Sequence, residues 1–406
     1  MSGLAERVSV AILLSCLSCT PELPFEPTDP VEAAEAFVAD PAVRRGALEW
    51  STEGDTSAYA ALRLEHYGLG PDEPDGWDAL PVLRRGPVRP LRATEPGEEE
   101  GEPFDAVVVD EPSASETLAD YVEVGRRAFE LYPMQVDLRF DALRDAEQAR
   151  AFGLTVESDG RVRGAAELRA ADGSWLVAIT CEACHSTADG EGTFRPGLSN
   201  PDFDLAGLLE GPFWRPGTMD VTADGVENPL RASDLRPLVH QARMQHTGNL
   251  RNGRIARMVR IETLMGGQRS WRDRPDRRMV ASVALYVESL ADALPRPRAA
   301  HPGAALFEAS CAGCHRGDAM AGGVVPLMTV GTDPNATGDL AARGTVGYRA
   351  PSLLGAGQRR GLLHDGSVRD LPALLGLDAS EHEGHRFGLT ASVEEREALV
   401  SFLNGE

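Results

Sequence analysis

The chain has 406 residues, enough for about two to four domains, and 42% of them are apolar but only 6% aromatic, so a sizeable core would draw mainly on Ala, Leu and Val. Its formal charge is −23 and every basic residue is Arg, which argues against non-specific binding to nucleic acid or attraction to an anionic membrane. Such a surface suits partner proteins that present basic patches.

The longest apolar run, residues 8–17, is too short to span a bilayer, which needs about 20 residues. With Arg7 before it and small residues after, residues 1–19 read as an export signal. The stretch Leu13-Leu14-Ser15-Cys16 resembles a bacterial lipoprotein signal, in which Cys16, or alternatively Cys19, would carry the lipid; a simply cleaved export signal is the other reading. Residues 20–117 form an N-terminal extension. It begins Pro-rich and acidic, continues through short helical patterns, and ends in residues 93–117, which hold nine acids and no base and read as a solvated linker.

Residues 118–131 have a helical pattern with Gly125 and Phe129 on one face. Residues 133–179 read as an insertion whose tail, from Ala165 to Ile179, predicts a β-hairpin around Asp172-Gly173. Cys181-Glu182-Ala183-Cys184-His185 follows. Residues 279–290 predict a closing helix, and Pro295-Arg296-Pro297-Arg298 a linker. Beyond it, Gly303 and Phe307 repeat the Gly-x-x-x-Phe spacing, Cys311-Ala312-Gly313-Cys314-His315 repeats the cysteine motif, and residues 393–403 predict a last helix.

Both cysteine motifs are C-x-x-C-H, the signature for covalent attachment of c-type haem. Two thiols three positions apart reach the two haem vinyl groups, and the next residue, His185 or His315, points its imidazole at the iron. A zinc ribbon would hold its paired motifs some 15–20 residues apart, whereas these are separated by 126. A thioredoxin-like site needs no following His, and structural disulfides do not account for two of them. The expected cofactors are therefore two covalently bound haem c groups. They would consume Cys181, Cys184, Cys311 and Cys314.

Pro196 and Pro326 each lie 11 residues past the His of their motif. Here the chain resembles the cytochrome c family, in which the carbonyl of a Pro after C-x-x-C-H accepts the proximal His Nδ1–H. The resemblance implies a mainly α fold of two cytochrome c-like haem domains in tandem, residues 118–294 and 299–406, each closed by a crossing helix pair. The N-terminal extension would precede them, and a small β-hairpin insertion would stand before the first haem motif.

The sixth iron ligand decides the chemistry. For the first haem His246, 61 residues past His185, is the first candidate, with Met219, Met244 and His240 as rivals. For the second, the only Met residues after Cys314 are Met320 and Met328, close to the proximal side, which leaves His364, His382 or His385. Arg349-Ala350-Pro351-Ser352-Leu353 and His364-Asp365-Gly366-Ser367 resemble the C-terminal haem domain of the bacterial dihaem cytochrome c peroxidase family. The resemblance implies that His364 lies in the haem environment and that the axial ligand comes later. The family uses Met there; this chain has His385, 70 residues past His315. Arg349 is a candidate to pair a haem propionate, the alternative being an ordinary surface salt bridge.

Three functions follow from these motifs. The first is a dihaem c-type cytochrome that transfers electrons outside the cytoplasm, in the periplasm or cell envelope. It would have redox partner proteins, no nucleic acid, and contact with the membrane only through its lipid. The second is a dihaem hydroperoxidase reducing hydrogen peroxide, with Glu262 as acid/base and Trp271 as electron relay, although Glu262 also has Arg260 and Arg257 within pairing distance along a helix. The third is a zinc or structural module.

Overall fold

The structure is a computed structural model that describes residues 26–52, 76–97, 101–109, 117–211, 213–220, 229–267, 272–332, 347–378, 382 and 384–406. Cys16, Cys19 and Trp271 lie outside these residues. No helix among the described residues is long and apolar enough to cross a membrane.

The chain starts with α1 (Pro30–Ala39), whose first turn is capped by Asp29 and begins on Pro30, and α2 (Pro41–Thr52). Strand β1 (Val88–Arg92) follows, then α3 (Leu118–Leu131) behind a Thr117–Asp120 capping box. Strands β2 (Gln135–Val136), β3 (Arg161–Arg169) and β4 (Trp175–Ile179) lead into α4 (Cys181–His185). Ribbons β5 (Ser186–Ala188) with β6 (Phe194–Pro196), β7 (Thr218–Met219) with β8 (Leu230–Arg231), and β9 (Arg243–Met244) with β10 (Leu250–Arg251) come next. Then come α5 (Arg254–Gly267) and α6 (Arg277–Ser289), the latter capped by Asp276. The last part comprises α7 (Gly303–Ser310), ribbon β11 (Val324–Pro326) with β12 (Gly347–Arg349), and α8 (Val393–Asn404), which opens on a Ser392–Glu395 capping box and stops at Gly405.

Two helix crossings organise the cores, and each turns on a glycine. A Cβ on Gly125 of α3 would come within 1.9 Å of the Ser282 carbonyl oxygen of α6, and one on Gly303 of α7 within 2.2 Å of the Ala398 oxygen of α8. Only hydrogen fits, so the backbones touch. Around the first crossing Phe129 and Tyr286 pack at 5.4 Å, and Phe37, Trp50, Trp77 and Val88 join the same apolar cluster, so residues before 117 complete this core. Around the second, Phe307 lies 5.5 Å from Phe402 in a cluster with Leu399, Leu403 and Leu362.

The expectation of a mainly α fold made of two cytochrome c-like haem domains in tandem is corrected by the extent of β structure. The predicted hairpin exists, with Gly173 at φ +87°, but it is no isolated insertion. It forms the centre of a four-stranded antiparallel sheet in the order β1-β3-β4-β2. The reason is burial: β3 is buried on both faces from Gly164 to Glu167, and a hairpin alone would leave one edge and its polar backbone uncovered. Strand β1, recruited from ahead of the acidic stretch, pairs that edge. With four further ribbons, the described chain is α+β.

Candidate functional site

The second cysteine motif follows α7 directly. A tight turn, with the Cys314 and His315 amides donating to the Cys311 carbonyl at 3.0 and 2.9 Å, brings Cys311, Cys314 and His315 to the wall of one cavity. The cavity holds about 1490 Å³ of empty space, including its open mouth. Val325, Val330, Leu353, Leu374, Leu399 and Leu403 give it an apolar wall; Arg231, Arg349 and Arg359 stand in its polar part.

His315 is held by its Nδ1–H, which donates to the Pro351 carbonyl at 2.9 Å and lies 3.3 Å from that of Met320. That fixes the ring and leaves Nε2 as the nitrogen free for a metal. Burial, followed by the field of His385, pushes the His315 imidazole down to about 4, so it stays neutral, as a ligand must be. His385 lines the same cavity. Its loop is pinned: its amide donates to the Val330 carbonyl at 2.6 Å, and Gly384 packs so tightly on Gly331–Thr332 that a Cβ would meet the Thr332 nitrogen at 2.4 Å. His385 adopts φ +47°, a left-handed conformation that costs a non-glycine residue energy and is held by these contacts. Its Nδ1 is buried without a hydrogen-bond partner among the described residues. His364 also lines the cavity, but its ring stacks flat on Tyr348 at 4.7 Å.

These residues fit a c-type haem: two free thiols, a neutral imidazole with Nδ1 engaged, a second imidazole in the same cavity, apolar walls, and cationic groups where carboxylates could be met. Burial pushes the thiol of Cys311 up to about 11, so unmodified it is protonated and a poor thiolate ligand.

The first motif is built differently. Helix α4 lies against β3 at Gly164, where φ is +85° and a Cβ would sit 2.4 Å from Ala183 Cα. Cys181 packs against the cluster of α3 and α6, and Cys184 against the cluster under the sheet. Burial pushes both thiols up to about 12. His185 Nδ1–H donates to the Ser233 carbonyl at 2.9 Å, which again leaves Nε2 for a metal.

The prolines at the shared offset do not accept these bonds. Pro196 and Pro326 are ribbon residues, paired with Ser186 and Gly347. The acceptors are Ser233 and Pro351, which sequence reasoning missed because each returns from far along the chain. A signal for them exists. Arg231-Ala232-Ser233-Asp234-Leu235 and Arg349-Ala350-Pro351-Ser352-Leu353 share the pattern Arg-Ala-x-x-Leu, and in both a His-x-Gly begins 15 residues after the Arg, at His246 and His364. The copies also share backbone form: Gln245 and Leu363 have φ of 64° and 65°, and Gly248 and Gly366 have 66° and 72°.

This repeat corrects the expectation for His246. Its Nε2 accepts no metal-facing role here: it lies 2.8 Å from the Arg231 carbonyl and 3.4 Å from the Ser233 hydroxyl. Ser233 stands on the Nδ1 side of His185, so His246 is on the side of that ring away from Nε2. It lines the cavity of the second motif instead. Glu262 is corrected as well. It is fully buried between α5 and α6, where Arg277 donates to it at 2.9 Å, and it pairs with neither Arg260 nor Arg257. Arg277 in turn holds Asp78, which Arg44 grips with both ends of its guanidinium. Glu262 is thus part of an ion-pair network and does not line the cavity. Arg349 is no surface ion pair: it is 8% exposed and donates from Nε to the Gln245 carbonyl at 2.9 Å.

No protein-family model matches the chain, and no curated protein matches it.

Proposed function

We propose that the chain is a dihaem c-type cytochrome that transfers electrons outside the cytoplasm. The observation that carries this reading is the convergence of Cys311, Cys314, His315 and His385 on one cavity. When bound, each haem would supply a one-electron iron couple. Cys181, Cys184, Cys311 and Cys314 would hold the haems by thioethers. His185 and His315 would grip the irons from the side fixed by Ser233 and Pro351, and His385 would close the second site as sixth ligand. Two imidazoles imply a lower potential than a His/Met pair. The apolar wall would keep water from the second iron. Thioether formation takes place outside the cytoplasm, which suits the export signal and a lipid on Cys16 or Cys19.

Peroxide reduction would need an open iron beside a carboxylate. Asp234 is the only carboxylate lining the cavity among the described residues, and Arg236 and Arg359 both hold it. Glu262 is held by Arg277. Electron transfer needs neither group. Chain matured with a haem-attachment system should give a pyridine haemochrome of two c-type haems per polypeptide, and one in the Cys311→Ser/Cys314→Ser variant. A colourless, iron-free product overturns the reading; a high-spin ferric signal from the second haem would move it to the peroxidase.

A further inference from the structure

The two copies of the Arg-Ala-x-x-Leu repeat grip each other. The Arg231 amide donates to the His364 carbonyl at 2.8 Å and its Nε to the Leu363 carbonyl at 3.2 Å. Reciprocally, the Arg349 amide donates to the His246 carbonyl at 2.8 Å and its Nε to the Gln245 carbonyl at 2.9 Å. The carbonyls that fix the rings of His185 and His315 occupy the same place in the two copies, the third position, at Ser233 and Pro351. The fourth positions, Asp234 and Ser352, follow each carbonyl by one peptide bond, and both are tied to a single guanidinium. Arg359 donates from Nε to Asp234 Oδ2 at 2.7 Å, from Nη1 to the Ser352 carbonyl at 2.8 Å and from Nη2 to the Leu354 carbonyl at 2.7 Å. All three of its nitrogens are thus engaged by the protein. Arg236 holds Asp234 from its own half, from Nε and Nη2 at 2.9 Å each. Asp234, Ser352 and Arg359 are all buried. A continuous run of bonds and hydrogen bonds therefore joins the His185 ring to the His315 ring, and Arg359 is its middle link. Buried and fully satisfied, such a network is rigid.

We propose that Arg359 is a positioning residue shared by the two haems: one guanidinium sets the carbonyl from which each axial imidazole is held, so that a change in the iron–imidazole bond at one haem is felt at the other. The proposal rests on the haem reading above. The Nδ1–H bond to a carbonyl fixes both the orientation and the basicity of a ligating imidazole, so whatever moves the carbonyl moves the ligand. Coupling between two sites travels through contiguous hydrogen-bonded and packed side chains of this kind. The route consists of protein atoms alone. Truncating Arg359 breaks it and leaves the buried Ser352 and Leu354 carbonyls without that donor, which frees the segments on both sides to shift.

The test is the ferric electron paramagnetic resonance spectrum of the haem-loaded chain, because its g-values follow the orientation and strength of the axial imidazole. The Cys311→Ser/Cys314→Ser variant, which lacks the second haem, assigns the two signals. In Arg359→Gln the g-values of both haems are displaced from wild type. In Arg359→Lys both stay displaced, since one ammonium restores the charge but does not span Asp234 and two carbonyls at once. Arg236→Gln loosens Asp234 from its own half and displaces the first haem's signal only. A displacement confined to one haem in Arg359→Gln, or none, overturns the shared hold while leaving the haem reading intact. Full restoration by lysine also overturns it, because charge rather than geometry would then be the cause. A wild-type chain without covalent haem overturns the haem reading itself. Should Arg359→Gln fail to fold, wild type decides alone. Poised so that one haem is reduced, it shows the remaining ferric haem with g-values displaced from those of the fully oxidised chain; unchanged g-values refute the shared hold.

Discussion

Burial holds the His246 imidazole far below its ordinary range, at about 3, and the charges of Arg231 and Arg349 push the same way. In the unfolded chain this His would titrate near 6.5, so between those values the unfolded state binds the extra proton. Its contribution to stability is complete above about pH 6.5 and is lost as pH falls toward 3. That amounts to about 3 kcal/mol between pH 7 and pH 4. Urea unfolding at the two pH values should therefore show a steeper acid loss in wild type than in His246→Gln; equal losses would count against a neutral buried imidazole. At His385 the prediction concerns the iron. His385→Ala should turn the second haem's ferric spectrum from low to high spin, and His385→Met should raise its potential. A spectrum untouched by His385→Ala would assign the sixth ligand elsewhere. Both positions were legible as histidines at the right distance from a C-x-x-C-H. Spacing favoured His385 as the late ligand of the second motif, whose cavity it lines, and favoured His246 for the first, where it misled, because spacing along the chain does not tell on which side of a ring a loop returns.

Among the elements, the helix crossings are the most demanding contacts. Gly125→Ala puts a methyl group 1.9 Å from the Ser282 carbonyl, so α3 and α6 must separate. The expected loss is about 1–3 kcal/mol or more, read as a lowered thermal midpoint. Gly303→Ala should act alike on α7 and α8, while alanine at Gly190, which has open space around its Cβ position, should change little. If all three behave alike, the close crossings are not what holds these cores. The Gly-x-x-x-Phe spacing marks one face on each helix, since a helix face is set locally by its own 3.6-residue period; that a closing helix crosses this face was implied only by the resemblance to the cytochrome c family. The sheet could not. β4 announces itself by its apolar run and the hairpin by Asp172-Gly173, but which strand covers the far edge of β3 is a non-local choice, and β1 lies some seventy residues earlier in the chain.

At the scale of the molecule, the seam between the halves is closed by Asp234, held by Arg236 and Arg359, all three nearly inaccessible. Removing the carboxylate in Asp234→Ala leaves two buried cations facing each other and should cost about 3–5 kcal/mol in chemical denaturation. The cations beside it hold the Asp234 carboxyl below its ordinary 3.8 in the folded chain, against the opposing pull of burial. Its stabilisation is therefore present above that pH and fades as pH falls through the lower folded value. The whole-chain charge of −23 makes a further prediction: electron exchange with a basic redox partner should slow as salt rises, since screening weakens the steering between unlike surfaces. A rate that is indifferent to salt, or that climbs with it, would put the docking face outside the acidic surface.

What the sequence determined alone is local chemistry: two thiol pairs each followed by an imidazole, glycines at two helix faces, a hairpin turn, and an acidic surface. These depend on residues a few positions apart, and their geometry follows from the period of a helix or a strand. Only the tertiary structure decided what surrounds them. Ser233 and Pro351, not Pro196 and Pro326, hold the imidazoles of His185 and His315; His246 stands behind one ring while His385 faces the cavity of the other; and Arg231 and Arg349 reach across to opposite halves. Each of these is a contact between segments tens to more than a hundred residues apart. Chain connectivity leaves such distances open, and packing closes them.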